Sequence, residues 1–141
     1  MMAPAFHVAQ ETAVWPPPPP LRELLLDADP DERQVADHLA HGELYVARSR
    51  GAAAGAIVIR QTGEDTWEIM NCSVAPEYRR HGCGTALVLH ALHIIRNKGA
   101  RYAELGTCDA SPGPMALYES CGFRISGVVK NHFTDNYPEP V

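Results

Sequence analysis

Residues 74–87 of this chain read VAPEYRRHGCGTAL, and this stretch decides the fold. Gly82 and Gly84 lie one residue apart at the start of the clearest predicted helix, which runs from about residue 83 to 98. Glycines at a helix start let backbone amides approach an anion, and the helix dipole favours negative charge there. The two arginines just before add positive charge. The stretch therefore predicts a turn between a strand and a helix that binds a pyrophosphate.

Two other phosphate-binding loops do not fit these residues. A Walker A loop needs Gly-Lys-Ser/Thr, but Gly84 is followed directly by Thr85. A Rossmann loop needs a glycine directly after the strand and a third glycine near position 87, where Leu87 stands.

Outward from this turn, apolar periodicity and turn residues predict alternating strands and helices. We expect strands at 24–26, 44–48, 53–60, 66–74, 101–106 and 123–132. We expect helices from an N-cap at Asp29 to Gly42, from about 83 to 98, and from 114 to 121. This order predicts an α/β (mixed α+β) fold in which helices cover a mixed sheet.

The N-terminal segment has a different composition. It contains five consecutive prolines, Pro16 to Pro20, and such a run favours polyproline II and lacks backbone donors. We expect residues 1–20 to form a flexible, Pro-rich extension, and the folded domain to span residues 21–141.

Composition limits the classes of function. The chain has 141 residues, a net charge of −5, 45% apolar and 21% charged residues, which is typical of one globular domain. The sequence shows no basic patch of the kind that binds nucleic acid and no apolar run of about 18 residues. Its first residues lack a basic segment followed by an apolar one, so we expect no secretory signal. We expect a cytoplasmic protein with neither nucleic acid nor membrane as partner, and its mild acidity suits a cationic small molecule or a lysine side chain.

Cysteine and histidine spacing predicts no metal site. No C-x-x-C pair occurs among the four cysteines, so we expect reduced thiols in a reducing compartment. His90 and His93 share a helix face without a third ligand in view, which favours a solvated surface. Cys83 lies at a helix start near arginines, which predicts a lowered pKa and the most reactive thiol; the alternative is an inert small residue that fills the position between the two glycines.

The quoted stretch resembles motif A of the GNAT acetyltransferases, whose core is Arg/Gln-x-x-Gly-x-Gly/Ala. Residues 115–124, MALYESCGFR, look like motif B of the same family, usually Leu-Tyr-x-x-x-Gly-Phe. Residues 133–140 are similar to a bacterial, uncharacterised subgroup of it. The resemblance implies the GNAT fold, with two splayed parallel strands in a central mixed sheet, and acetyl-CoA as cosubstrate without a metal.

The resemblance also implies which residues hold acetyl-CoA. The pantetheine arm would pair with backbone around Cys72 and Val74, and amides of the glycine turn would bind the pyrophosphate beside Arg79. Asp109 stands where many members have an asparagine that contacts CoA. The full implied set is Cys72, Val74, Arg79, Arg80, His81, Gly82, Cys83, Gly84, Thr85, Asp109 and Tyr118.

Two residues are implied for catalysis. Tyr118 matches the family tyrosine that faces the CoA sulfur, which makes it the general acid; a packed aromatic side chain is the structural alternative. Glu68 matches the glutamate of lysine-acetylating members and would be the general base; a solvent-facing strand glutamate is the alternative. Strand alternation predicts that Glu68, Met70, Cys72 and Val74 share one face.

We therefore expect an acetyl-CoA-dependent N-acetyltransferase that acts on a primary amine of a small molecule or peptide within a ternary complex. The alternative is a catalytically weak acyl-CoA-binding or regulatory module on the same fold. The sequence stops at Val141, where relatives continue into a final strand. Either the chain is truncated, or a ligand or a second copy in a homodimer covers the exposed edge.

Overall fold

Five strands form one sheet in the computed structural model of the chain, which describes residues 5–105. In that range the elements are β1 (His7–Glu11), α1 (Pro19–Ala28), α2 (Glu32–His41), β2 (Glu43–Ser49), β3 (Ala52–Gln61), β4 (Thr66–Val74), a 3-10 turn (Pro76–Tyr78), α3 (Cys83–Asn97) and β5 (Tyr102–Leu105). The strand order is β1-β2-β3-β4-β5, and the strands are antiparallel except for β4 and β5, which are parallel. The mixed sheet confirms the predicted fold class.

Helices cover both faces of this sheet. On the face that we call the α3 face, Leu87 of α3 packs with Ile57 of β3. On the opposite face, the α1–α2 face, Leu25 of α1 packs with Val58 of β3. Because β3 is central and covered on both sides, six of its ten residues in a row are buried, which is why its sequence is continuously apolar.

The leucines at 24–26 belong to α1, so the predicted strand there is wrong. Leu21, Leu24 and Leu25 are all buried, and their spacing of three and four residues places them on one face of a helix. Pro19 and Pro20 lie in the first turn of α1, where a helix needs no donor from the residue's nitrogen.

The N-terminal boundary is also corrected. β1 lies within the predicted extension, yet it pairs antiparallel with β2, and His7 lies opposite Arg48. Arg48 donates hydrogen bonds from Nε and Nη2 to the two carboxylate oxygens of Glu11, at 2.7 and 2.8 Å. This bidentate ion pair joins residues 37 apart in sequence, so local proline content could not reveal it.

The start of α2 is shifted by two residues from its predicted position. Asp31, not Asp29, is the N-cap, and its Oδ1 accepts hydrogen bonds from the amides of Arg33 and Gln34. Asp29 Oδ1 instead accepts from the amide of Asp31, 3.0 Å away. The predicted end of the helix at Gly42 is confirmed.

Gly55 of β3 lets α3 approach the sheet. A methyl group at this position would lie 2.9 Å from Leu87 Cδ1, 2.9 Å from the Ser73 carbonyl oxygen and 3.0 Å from Cys83 Sγ. These distances are too short for a Cβ, so glycine is needed for the first turn of α3 to pack where it does.

The remaining predictions agree with the structure where it describes the chain. β2, β3, α3 and β5 differ from their expected bounds by at most two residues, and β4 coincides with its expected bounds. The predicted helix at 114–121 and strand at 123–132 lie outside the described residues. No helix within residues 5–105 is long and apolar enough to cross a membrane.

Candidate active site

The first turn of α3 offers backbone amides that have no acceptor within the helix. Its N-cap, Gly82, has a left-handed φ of +85° and no side chain caps this end. The amide of Ala86 bonds the Gly82 carbonyl at 3.0 Å and begins the helical ladder. The amides that precede Ala86 therefore point out of the helix end, where an anion can accept from them.

The turn before α3 is compact and rich in cations. Arg80 also has a left-handed φ, +66°, so that two left-handed residues flank His81. Arg79, Arg80 and His81 are all exposed, and the first turn of α3 holds no acidic residue. The charge and the free amides together suit a pyrophosphate, which is the group that the sequence analysis assigns to this turn.

Arg79 lies at the carboxyl end of β4. Its Nε donates to the Val74 carbonyl oxygen at 3.2 Å, and its Nη2 lies 3.3 Å from Asp27 Oδ2 of α1. Arg79 thus connects β4 to α1 through an exposed ion pair. That the same guanidinium also contacts the pyrophosphate stays a prediction.

Cys83 does not fit the prediction of a reactive thiol. It is 1% exposed, because it is the first residue of α3 and packs against Gly55. Burial disfavours the thiolate and raises the pKa of Cys83 to about 11. The side chain of Cys83 therefore packs in the core, and only the backbone amide of this residue is available to a ligand.

A β-bulge in β4 changes which residues share a face. Asn71 lies opposite Val58, but Ile69 lies opposite Ile59, so Met70 is an extra residue in β4. Beyond the bulge, Cys72 and Val74 pack on the α3 face. Glu68, two residues before it, lies opposite Arg60. The expectation that Glu68 shares a face with Cys72 and Val74 is therefore wrong, because strict alternation fails at Met70.

Glu68 lies on the α1–α2 face, as its cross-strand neighbour Arg60 shows. Arg60 Nη1 donates to Asp37 Oδ2 at 2.9 Å and to His38 Nδ1 at 3.3 Å, and both partners belong to α2. Burial lowers the pKa of His38, and the Arg60 cation lowers it further. Arg60 lowers the pKa of Asp37 chiefly through their hydrogen bond. Glu68 therefore shares its face of the sheet with the Arg60 cation and with the His38 imidazole, whose pKa is lowered.

A groove of about 300 Å³ lies beside α1 and was missed by the sequence analysis. Its walls come from α1, the start of β3 and the segment after β4, which are distant in sequence. Three of its side chains are carboxylates, which favour cations over anions there. The lining residues are Pro20, Glu23, Leu24, Asp27, Ala53, Ala75, Pro76 and Glu77.

Two predicted site residues have no position in this geometry. Tyr118 and Asp109 lie outside the described residues. Among residues 5–105, no group of three His, Cys, Asp or Glu side chains could hold a metal ion. His93 Nε2 lies 3.1 Å from Asn97 Nδ2, and the ring of His90 contacts that of Tyr45 at a tilt of 59°, with 5.1 Å between centroids.

Comparison with known proteins agrees with this geometry. Residues 7–123 match the family model described as the acetyltransferase (GNAT) family. The chain is 36% identical to the uncharacterized N-acetyltransferase YvbK of Bacillus subtilis, over 86% of this chain and 78% of that protein. It is 26% identical to the [ribosomal protein bS18]-alanine N-acetyltransferase of Escherichia coli, over 92% of this chain and 78% of that protein.

A solved structure shows the same fold with the cosubstrate in place. A GNAT family acetyltransferase from Elizabethkingia anophelis, with acetyl-CoA bound, superposes with a TM-score of 0.80 at 35% identity. The match covers 96% of this chain and 87% of that one. This chain therefore belongs to the GNAT acetyltransferase family and is an acetyl-CoA-dependent acyltransferase.

Proposed function

We propose that this protein transfers the acetyl group of acetyl-CoA to a primary amine of a small molecule or peptide, by direct attack in a ternary complex. The observation that carries the proposal is the first turn of α3. Its left-handed Gly82, its uncapped amides and the exposed arginines just before it, Arg79 and Arg80, suit the pyrophosphate of CoA. The amides of His81, Gly82, Gly84 and Thr85 are the donors that we assign to it.

The two substrates would approach the sheet from opposite faces. The pyrophosphate site is at the N-terminus of α3, and the backbone around Cys72 and Val74 would hold the pantetheine arm. Glu68 lies on the α1–α2 face. We therefore assign that face to the acceptor amine, which would place the carboxylate next to the nitrogen that must lose a proton.

In the reaction, the amine nitrogen forms a bond with the thioester carbonyl carbon, and the carbon–sulfur bond breaks. Before it attacks, the nitrogen gives up its ammonium proton, which we assign to Glu68. The second proton, lost as the amide forms, balances the proton that the departing sulfur gains, which we assign to Tyr118. Much of the rate would come from holding the amine and the thioester together in one site.

The relatives support an amine as acceptor, since both curated relatives described above are named N-acetyltransferases. One of them is named for an alanine of a ribosomal protein, so peptides belong among the acceptors to be tested. The mild acidity of this chain, −5 in net charge, also favours cationic acceptors over anionic ones.

The experiment is a panel of acceptors assayed by release of the free thiol of CoA, and it includes polyamines, aminoglycosides, amino acids and lysine or alanine-terminated peptides. We expect steady turnover with at least one primary amine and loss of that turnover in Gly82→Asp. Binding of acetyl-CoA without turnover across the panel would instead favour the regulatory acyl-CoA-binding module.

A further inference from the structure

Asn71 carries a buried carbonyl oxygen without a partner. The residue is 5% exposed, and its Nδ2 donates to the Leu25 carbonyl oxygen of α1 at 3.0 Å. Its Oδ1 is buried and accepts no hydrogen bond. Within residues 5–105, no other buried side-chain nitrogen or oxygen lacks a hydrogen-bond partner. An unsatisfied buried acceptor destabilises a fold, so its presence calls for a functional explanation.

The orientation of the Asn71 amide follows from its one hydrogen bond. The Leu25 carbonyl oxygen can only accept, so the NH₂ group of Asn71 must face it. The side-chain oxygen, Oδ1, is thereby directed away from Leu25 of α1. The hydrogen bond from Nδ2 fixes the orientation of the whole amide group and leaves Oδ1 free to accept.

Asn71 and Glu68 lie side by side on the α1–α2 face. Their cross-strand neighbours are Val58 and Arg60, which are two positions apart on β3, a separation of roughly 7 Å along a strand. The bulge at Met70 is what brings the two polar side chains to the same face. Two acceptors, the Glu68 carboxylate and the Asn71 amide oxygen, therefore lie on this face with Ile69 and the bulged Met70 between them in β4.

We propose that Asn71 Oδ1 accepts a hydrogen bond from the acceptor amine and thereby selects primary amines. This inference rests on the proposed function and deepens it, because it names the residue that restricts the nucleophile to a primary amine. Asn71 acts as a specificity-determining residue, and Glu68 remains the proton acceptor.

The proton count of the reaction explains the selection. The neutral primary amine, formed when Glu68 takes the ammonium proton, has two N–H bonds. One of these protons leaves as the carbon–nitrogen bond forms, and it balances the proton that sulfur gains with the carbon–sulfur electron pair. The other hydrogen stays on the nitrogen of the product amide and keeps its bond to Asn71 Oδ1. A secondary amine or an alcohol has only one such hydrogen, which must leave, so the buried oxygen would again lose its partner.

The test compares the best primary amine of the panel with its N-methyl derivative, whose basicity is nearly the same. The readout is the ratio of their kcat/KM values in the full-length protein. We expect the wild type to prefer the primary amine by about 10-fold or more, the effect of one hydrogen bond to a buried acceptor. In Asn71→Ala the ratio should fall by about that factor.

Two further variants separate selection from a structural role. Ser73→Ala removes another buried polar side chain two residues along the same strand and should keep the wild-type ratio. Asn71→Asp loses the amide donor to Leu25 but retains an acceptor oxygen, so it should be less stable and still prefer the primary amine. Calorimetry should show wild-type affinity for acetyl-CoA in every variant that folds.

Three outcomes decide the matter. An unchanged ratio in Asn71→Ala, with lowered stability alone, would reduce Asn71 to a connection between β4 and α1 and overturn the inference. A wild-type ratio near one would overturn it even if no Asn71 variant folds. Absence of turnover with every amine would instead refute the proposed function itself, so that the two failures are distinguishable.

Discussion

Gly55 of β3 lies directly against Cys83, the first residue of α3: a methyl group on Gly55 would lie 3.0 Å from Cys83 Sγ. The start of α3 is therefore positioned by a residue of the sheet, which lies 28 positions before the helix in the sequence. Since the amides of that helix start are the proposed pyrophosphate donors, packing beneath the helix determines where they lie.

Gly55→Ala should weaken acetyl-CoA binding and stability together. The added methyl overlaps Leu87, Cys83 and the Ser73 carbonyl, and such overpacking typically costs about 1–3 kcal/mol of unfolding free energy. Denaturant unfolding and calorimetry would measure the two effects. Gly63→Ala is the matched control, because its nearest contact would be an ordinary 3.6 Å to Thr66 Cβ; an equal loss there would contradict the explanation.

Gly82→Asp should abolish acetyl-CoA binding, because it adds a negative charge at the helix start that is assigned to the pyrophosphate. Gly99, at the other end of α3, offers a control with the same backbone strain. Gly99 has φ +82° and Gly82 has φ +85°, and a Cβ at either position would meet nothing within 4 Å. Gly99→Asp should lose at least as much stability, because the helix dipole disfavours a negative charge at this end, and should keep its affinity in calorimetry. Equal losses of affinity would remove this turn from the proposed site.

Cys83 should resist alkylation in the folded protein and should make stability depend on alkaline pH. Burial raises its pKa from 9.0 to about 11. The unfolded thiol ionises first, so stability is full below about pH 9 and falls as pH rises towards 11, by up to about 2–3 kcal/mol. Cys83→Ala should lack this alkaline decrease in urea unfolding. Rapid labelling of native Cys83 by iodoacetamide at pH 8 would contradict the burial.

Hydrophobic periodicity and turn residues predicted the elements whose bounds depend on neighbours in the sequence. They failed where residues distant in the sequence determine strand register or burial. The bounds of β4 follow from its own residues and the turns at its ends. The bulge at Met70 depends on the register with β3, so the alternation rule put Glu68 on the wrong face. The burial of Cys83 depends on Gly55, 28 positions earlier, and the unpaired oxygen of Asn71 depends on Leu25 of α1.

Tyr118→Phe should lower kcat by about 10²–10⁴-fold, because it removes only the hydroxyl proposed to protonate the departing sulfur. Affinity for acetyl-CoA should change little, since the ring is retained. Tyr102→Phe, at the start of β5, is a control that removes a hydroxyl assigned no role. Full activity of the Tyr118 variant in the thiol-release assay would transfer the acid role to water.

Glu68→Gln should lower kcat/KM most strongly at low pH. Below the pKa of the amine, most acceptor molecules are ammonium ions without a lone pair, and removal of a proton within the site matters most. As pH rises, more acceptor arrives already neutral, and the rate of the variant should approach that of the wild type. Glu64→Gln, in the exposed turn before β4, should match the wild type throughout. A decrease in kcat/KM of equal size from pH 6 to 10 would indicate that Glu68 has a structural role on the α1–α2 face, and that water accepts the proton of the amine.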